Sequence, residues 1–169
     1  MAMWKSILRQ AAKFGRDLLS SGSTAGSGPA PPAAARPSGS RNTPTAQRAR
    51  AIAYAPNPDG AADPGEIVWG WVPFEENDGR GKDRPLLIVG RGEGDLLGLM
   101  LSSKQERAGD RDWVSIGSGA WDREGRESFV RLDRVLEMGA EDIRREGAVL
   151  GRDWFDRVAG ELRGRFGWT

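Results

Sequence analysis

Residues 66–74 read EIVWGWVPF, and residues 86–90 read LLIVG. The first stretch is rich in β-branched and aromatic residues, which favour a strand, and the second is the short apolar run of a buried strand. Glycine-containing polar segments follow each of them, DGRGKD at 78–83 and GEG at 92–94. Apolar runs separated by such turn signals predict strands joined by short connections. We therefore expect an antiparallel β-sheet at the centre of the fold.

The rest of the C-terminal two thirds extends this pattern. Further strands are predicted over 96–102, 113–116 and 128–135. Residues 152–166 predict a helix, because Trp154, Phe155, Val158 and Leu162 recur at helical spacing, and a shorter helix is expected over 140–146. The fold class is therefore α+β, with a small antiparallel barrel or sandwich as its core.

Three segments follow from the composition. Residues 1–20 contain a basic amphipathic helix, best defined over 3–19, and residues 51–169 form the folded domain. Between them, residues 21–50 are dominated by Gly, Ser, Pro and Ala, and we predict a disordered linker. The helix has two alternative roles: it docks on its own domain or on a partner protein, or it binds weakly to a membrane surface.

The net charge of +1 hides an asymmetry between the two parts of the chain. Residues 1–50 carry eight basic residues and one acidic residue, a net charge of +7. Residues 51–169 carry 17 basic and 23 acidic residues, a net charge of −6. A basic arm on an acidic domain predicts that the arm meets an anionic partner or the domain itself.

Two residue types are absent from all 169 residues, and their absence excludes several kinds of chemistry. The chain has no Cys, which excludes disulfides, thiolate nucleophiles and Cys-based zinc sites. It has no His, which excludes Ser-His-Asp triads and HExxH metal sites. Charges interrupt the N-terminal helix every few residues, unlike the apolar centre of a secretion signal, so we expect a cytoplasmic location.

Four motifs, in order, resemble those of the PemK/MazF family of toxin endoribonucleases. They are PGEIVW at 64–69, KDRPLLIV at 82–89, LMLSSK at 99–104 and SFVRLDRV at 128–135. The resemblance covers residues 64–165 approximately. It implies an SH3-like β-barrel with a C-terminal helix and a homodimer. It also implies an antitoxin protein as partner.

The resemblance implies a site as well. Arg84 is then the catalytic arginine and Ser102 its partner hydroxyl, while Ser103, Lys104 and Lys82 bind substrate. The implied reaction is cleavage of single-stranded RNA by its own 2′-OH, giving 2′,3′-cyclic phosphate and 5′-OH ends, with no metal and no cofactor. An arginine suits this chemistry because its planar, permanently charged fork binds two phosphate oxygens.

Each of these residues also has an ordinary structural interpretation. Arg84 could form a surface ion pair with Asp83 or Glu76, and Ser102 could be an unremarkable serine at a strand end. The paired Trp69 and Trp71 are better explained by core packing than by stacking on a base. The alternative function is a non-catalytic SH3-like binding module, tethered by its N-terminal helix to a membrane or a partner protein.

Overall fold

The computed structural model of the chain describes residues 40–76 and 78–169. The predicted helix at 3–19 lies outside the described residues, as does most of the predicted linker. Within the described part, the chain forms eight strands and one α-helix. In order they are β1 (Arg41–Pro44), β2 (Glu66–Pro73), β3 (Gly81–Arg91), β4 (Leu96–Ser102), β5 (Trp113–Ser115), β6 (Phe129–Arg131), β7 (Arg134–Met138), β8 (Ile143–Val149) and α1 (Arg152–Phe166).

All strand pairs in the described part are antiparallel, as predicted. The main path of the sheet runs β1-β7-β4-β3-β2-β8, while β6 pairs with the end of β4 and with β5. This order is open, because β1 and β8 lie at opposite edges of the path. The predicted α+β class with an antiparallel sheet and a C-terminal helix is confirmed, and the predicted SH3-like barrel is not closed.

The centre of the sheet is buried on both faces. This burial explains why residues 86–89 of β3 are all apolar. Leu87 and Val89 point into a helix-side core that includes Phe155 and Leu162 of α1. Leu86, the neighbour of Leu87 in the chain, points into a second core cluster on the opposite face. Alternate side chains of a strand enter opposite faces, so a strand covered on both sides needs apolar residues throughout.

Two secondary-structure predictions in the C-terminal half are wrong. Residues 140–146 do not form a helix: a 3₁₀ turn over Ala140–Asp142 leads directly into β8. The run 128–135 is two strands, β6 and β7, separated by a break at Leu132 and Asp133. Both errors concern short segments whose state is set by pairing with distant strands, so local propensity has little weight there.

The predicted linker ends earlier than residue 50. Residues Arg41–Pro44 form β1, which pairs with β7 over four residues. Thr45, fully buried in the 3₁₀ turn that follows, donates a 2.6 Å hydrogen bond from its hydroxyl to the Leu132 carbonyl. The sequence signal was weak because β1 contributes few apolar side chains and is held by hydrogen bonds to its neighbour.

A buried carboxylate joins this segment to the sheet. Glu137 of β7 is only 8% exposed. It accepts a 2.9 Å hydrogen bond from the Thr43 hydroxyl and forms an ion pair with Arg48. The hydrogen bond from Arg48 holds the pKa of Glu137 below its ordinary value, and the one from Thr43 acts in the same direction. Glu137 therefore binds its proton more weakly in the folded chain than in the unfolded chain.

We expect Glu137→Gln to lose stability in a pH-dependent way. A carboxylate whose pKa is lowered on folding contributes stability above its unfolded pKa, about 4.3. That contribution is lost as the pH falls through the lower folded pKa. The difference in unfolding free energy between the parent and Glu137→Gln should stay constant from neutral pH to about 5.5 and shrink below about 4.3. Urea titrations between pH 7 and pH 3 measure it.

The matched control for this experiment is Glu106→Gln, which removes the same group from an exposed position. The same pH dependence for both variants would contradict the role assigned to Glu137.

The Pro-Gly turn before β2 is a second place where the backbone conformation is constrained. Gly65 has φ of +103°, a conformation that residues with a Cβ rarely adopt. A Cβ placed on it would lie 2.7 Å from Cε2 of Tyr54. The Tyr54 ring packs 5.2 Å from that of Phe155, and its hydroxyl donates a 2.8 Å hydrogen bond to the Leu150 carbonyl. The glycine thus lets the chain entering β2 pass close to the tyrosine that contacts α1.

We expect Gly65→Ala to destabilise the fold more than Gly94→Ala. Gly94 has nearly the same φ, +105°, but its Cβ would meet nothing within 4 Å. Both variants bear backbone strain of about 1–3 kcal/mol. Only Gly65→Ala adds the clash with Tyr54, so its thermal midpoint should be the lower of the two. Equal thermal midpoints in calorimetry would show that the clash with Tyr54 does not lower the stability.

Candidate functional site

A cleft of about 720 Å³ opens where β3 begins and β4 ends. We call it the main cleft. The start of β3 supplies residues 82–85, and the end of β4 with the segment after it supplies residues 101–104. The loop between β5 and β6 closes one side, and Trp69 of β2 and Arg144 of β8 also line the cleft. All five residues that the resemblance selected line it, namely Lys82, Arg84, Ser102, Ser103 and Lys104.

The pairing of β3 with β4 explains why two distant residues meet there. The register sets Leu86 opposite Met100. Arg84 lies two residues before Leu86 and Ser102 lies two residues after Met100, so the hairpin brings both to the same end of the sheet. Both side chains line the main cleft there.

Arg84 has no carboxylate partner among the described residues. Asp83, one of its expected partners, instead forms a 3.0 Å ion pair with Arg144. The Arg84 side chain is half-buried, and burial lowers its pKa below the ordinary value for arginine. The positive charge of Arg107 lowers this pKa further. An anion beside Arg84 would offset both effects, because each of them disfavours an isolated positive charge.

Ser102 presents a hydroxyl that can still donate. Its Oγ accepts a 3.3 Å hydrogen bond from the Lys104 backbone N–H, and no acceptor for its own proton lies among the described residues. Ser103 beside it is half-buried, whereas Lys104 and Lys82 are exposed. Among the described residues, the cleft therefore combines a half-buried cation, the hydroxyls of Ser102 and Ser103 and two exposed ammonium groups.

The charge of the main cleft is opposite to that of the domain around it. Six basic and three acidic residues line it, a net charge of +3. Each acidic residue is in an ion pair with an arginine: Asp83 with Arg144, and both Asp122 and Glu124 with Arg126. Four cations that line the cleft form no ion pair within the described part of the chain, namely Lys82, Arg84, Lys104 and Arg123. Such a surface attracts a polyanion.

Sequence reasoning missed the loop of residues 117–128, which supplies the wall of the cleft that carries Arg123. Trp121 anchors this loop: it is 9% exposed and donates a 3.0 Å hydrogen bond from Nε1 to the Ser128 hydroxyl. Arg126 adds its ion pairs at 3.0 Å to Asp122 and 3.3 Å to Glu124. The mixed charges beside a tryptophan at 121–126 were the available signal, but nothing local places that loop beside β3.

Two further interpretations made from the sequence are wrong. Arg144 falls within the helix predicted over 140–146, yet it lies in β8 with Trp69 as its pairing partner in β2. Trp69 and Trp71 were expected in the core, yet both are only half-buried and neither belongs to a core cluster. Among the described residues, the buried tryptophans are Trp113, Trp121 and Trp168. Trp69 is one of the residues that line the main cleft.

Within 40–76 and 78–169, no three acidic side chains come together in a way that could hold a metal ion. In the same ranges, no helix has the length and apolar character needed to cross a membrane.

Comparison with known proteins identifies the family. No curated protein matches the chain in sequence. One family model does match, that of the PemK-like, MazF-like toxin of type II toxin–antitoxin system, and it covers residues 63–165. This range contains β2 to β8, nearly all of α1 and every residue that lines the main cleft. The chain therefore belongs to the family of PemK-like, MazF-like toxins of type II toxin–antitoxin systems.

Proposed function

We propose that the chain is an endoribonuclease toxin that cleaves single-stranded RNA in the main cleft without a metal ion. The 2′-OH of the RNA attacks the adjacent phosphorus, the 5′-oxygen leaves, and the products carry a 2′,3′-cyclic phosphate and a 5′-OH. The observation that carries the proposal is that Arg84 and Ser102 line one cleft, whose lining residues have a net charge of +3. Membership of the toxin family supports it.

Arg84 has the properties needed for the phosphate. Its guanidinium is half-buried and lacks a carboxylate partner in the described structure, so binding an anion does not require breaking an ion pair. Charge that develops on the phosphoryl oxygens during attack is stabilised by a fixed cation in a partly dehydrated site. The planar fork also orients two oxygens at once, which helps to hold the 2′-OH in line with the leaving oxygen.

The other cleft residues fit supporting roles. The Ser102 hydroxyl can donate to a phosphoryl oxygen, while its oxygen is held by the Lys104 backbone. Lys82, Lys104 and Arg123 attract the RNA backbone as point charges. Trp69 lines the cleft, and we assign to it stacking on an unpaired base, a contact worth about 1–3 kcal/mol in single-strand binding. The net negative charge of the domain disfavours RNA over most of its surface, so the positively charged cleft is favoured.

We also propose the partners that the family suggests. A toxin of a toxin–antitoxin system requires a protein that restrains it, so an antitoxin is expected to bind this chain. A homodimer remains a prediction, and sedimentation velocity of the purified chain would measure it. A contact of residues 3–19 with a membrane surface or with the domain itself likewise stays a prediction, which vesicle binding tests.

We expect Arg84→Ala to reduce the rate of RNA cleavage by about 10²–10³, the usual cost of removing one fixed electrostatic contact. Arg84→Lys should recover only part of the rate, because a lysine keeps the charge but not the fork. The measurement is the initial rate on a long single-stranded RNA, with the thermal midpoint recorded for each variant.

Arg80→Ala is the matched control for Arg84. Arg80 lies in the connection that leads into β3, four residues before Arg84; it is exposed and pairs with Asp78 outside the main cleft. A folded Arg84→Ala variant that cleaves RNA as fast as Arg80→Ala would contradict the catalytic role assigned to Arg84.

We expect cleavage to persist in EDTA, and its rate to show no step near pH 6.5, because the chain has no His to titrate there. Product analysis should find 2′,3′-cyclic phosphate and 5′-OH ends. The measurement is a pH–rate profile between pH 5 and pH 9 with and without EDTA, followed by labelling of the product ends. A strict need for Mg²⁺, or 5′-phosphate products, would point to a different mechanism.

A further inference from the structure

A second cavity, of about 270 Å³, lies on the other side of Arg84. We call it the second pocket. Arg84 lines both cavities, but their surroundings differ. The main cleft shares Leu101 and Trp121 with the helix-side core. The second pocket instead shares Val72 and Leu136 with the core cluster on the opposite face of the sheet. Arg84 therefore sits at the end of the sheet, between two distinct cavities.

The second pocket is also rich in arginine. Arg84, Arg107, Arg131 and Arg134 line it, against the two acidic residues Glu75 and Glu76. Arg131 and Glu75 neutralise each other through a 2.7 Å ion pair, and Arg131 also binds Asp133 at 2.7 Å. These contacts hold the loop after β2 in place. They also neutralise Arg131 with two carboxylates, so it is not counted among the groups that bind a ligand. The remaining guanidinium groups, those of Arg84, Arg107 and Arg134, are the ones able to bind a ligand.

Arg107 is an unusual arginine for a protein surface. Its guanidinium lies 4.5 Å from the centre of the Trp113 ring, which fixes its position. Its Nε is buried and has no hydrogen-bond partner in the described structure. Its one ion pair, with Asp110, is long at 3.6 Å. Burying a donor without a hydrogen-bond partner costs free energy. Such a group therefore indicates a position where a ligand can supply the acceptor.

The positions of Arg84 and Arg107 indicate that the missing acceptor carries negative charge. The two guanidinium groups border one pocket, and the charge of Arg107 lowers the pKa of Arg84. Arg134 adds a third positive charge, since its contact with Asp133 is 4.0 Å long. An anion among the three would relieve their mutual repulsion and accept from donors that now lack partners. Apolar side chains of Val72, Met100 and Leu136 also line this pocket and can pack against a sugar or a base.

We infer that the second pocket is a phosphate subsite that binds a second phosphodiester of the same RNA strand, next to the one that is cleaved. Arg107 and Arg134 hold this phosphate, and Arg84 stands between the two phosphates. The inference rests on the proposed function for the identity of the strand. A phosphodiester is favoured over a carboxylate because guanidinium forks bind its oxygens in pairs and its sugar matches the apolar lining.

The test compares Arg107→Gln with Arg111→Gln in the full chain. Arg111 is four residues away, has an 86% exposed side chain and does not line the second pocket. The probe is a 2′-O-methyl RNA oligonucleotide, which cannot be cleaved because it lacks the attacking hydroxyl. Binding is measured over a series of salt concentrations. Each phosphate contact contributes about 0.7 to the slope of log K against log salt for a single strand.

We expect Arg107→Gln to reduce that slope by about 0.7 and Arg111→Gln to leave it unchanged. Arg134→Gln should act in the same direction as Arg107→Gln, and it keeps the conclusion independent of the contact between Arg107 and Trp113. Equal slopes for the parent and both pocket variants would overturn the inference. So would an equal loss of binding to poly-glutamate, because the pocket would then recognise carboxylates of a protein partner rather than phosphate.

A cleavage measurement separates this inference from the proposed function. If the subsite exists, the gain in kcat/KM between a dinucleotide and a tetranucleotide substrate should shrink in Arg107→Gln and persist in Arg111→Gln. An unchanged gain in Arg107→Gln would count against the subsite. Failure of the parent chain to cut any RNA refutes the proposed function alone, because the salt slopes decide the subsite without cleavage.

Discussion

Burial of β3 on both faces is the constraint on which the rest of the structure depends. Residues 86–89 are inaccessible to solvent, with alternate side chains in the two core clusters. The same strand continues at its N-terminal end into polar residues 82–84, which leave the core and enter the main cleft. Because the buried half cannot shift register without exposing its apolar side chains, Arg84 is held in a fixed place. The stability of the core and the geometry of the site are thus properties of one strand.

Electrostatics explains how an acidic domain can hold a site for an anion. The carboxylates of the main cleft form ion pairs with arginines on its walls, whereas Arg84 and Lys104 form none with any described residue. In the second pocket, Glu75 forms its ion pair with Arg131. It therefore does not neutralise Arg107, which lines the same pocket. The pairing of charges, more than their number, therefore sets the sign of each cavity. Net charge per domain is a poor guide to a site whose acidic groups are already neutralised.

The segment before β2 has a structural role that its composition conceals. The strand β1 covers the outer edge of β7, and Glu137 binds both Thr43 and Arg48. An exposed sheet edge invites pairing with another chain, so covering it also limits association. Further along, Tyr54 passes beside Gly65 and contacts α1, which joins the entering chain to the helix. The folded unit therefore begins before the family core.

By itself, the sequence determined the strands β2 to β4, the helix 152–166 and the order of motifs that reveals the family. These features depend on local patterns: apolar runs bounded by glycine turns, and helical spacing around Phe155. Only the tertiary structure decided that the sheet stays open, that Arg144 reaches Asp83, and that Arg107 lies in a pocket with Arg84. The physical reason is that these contacts join residues from separate strands and loops, whose meeting depends on strand order and register. A local pattern records neither of them.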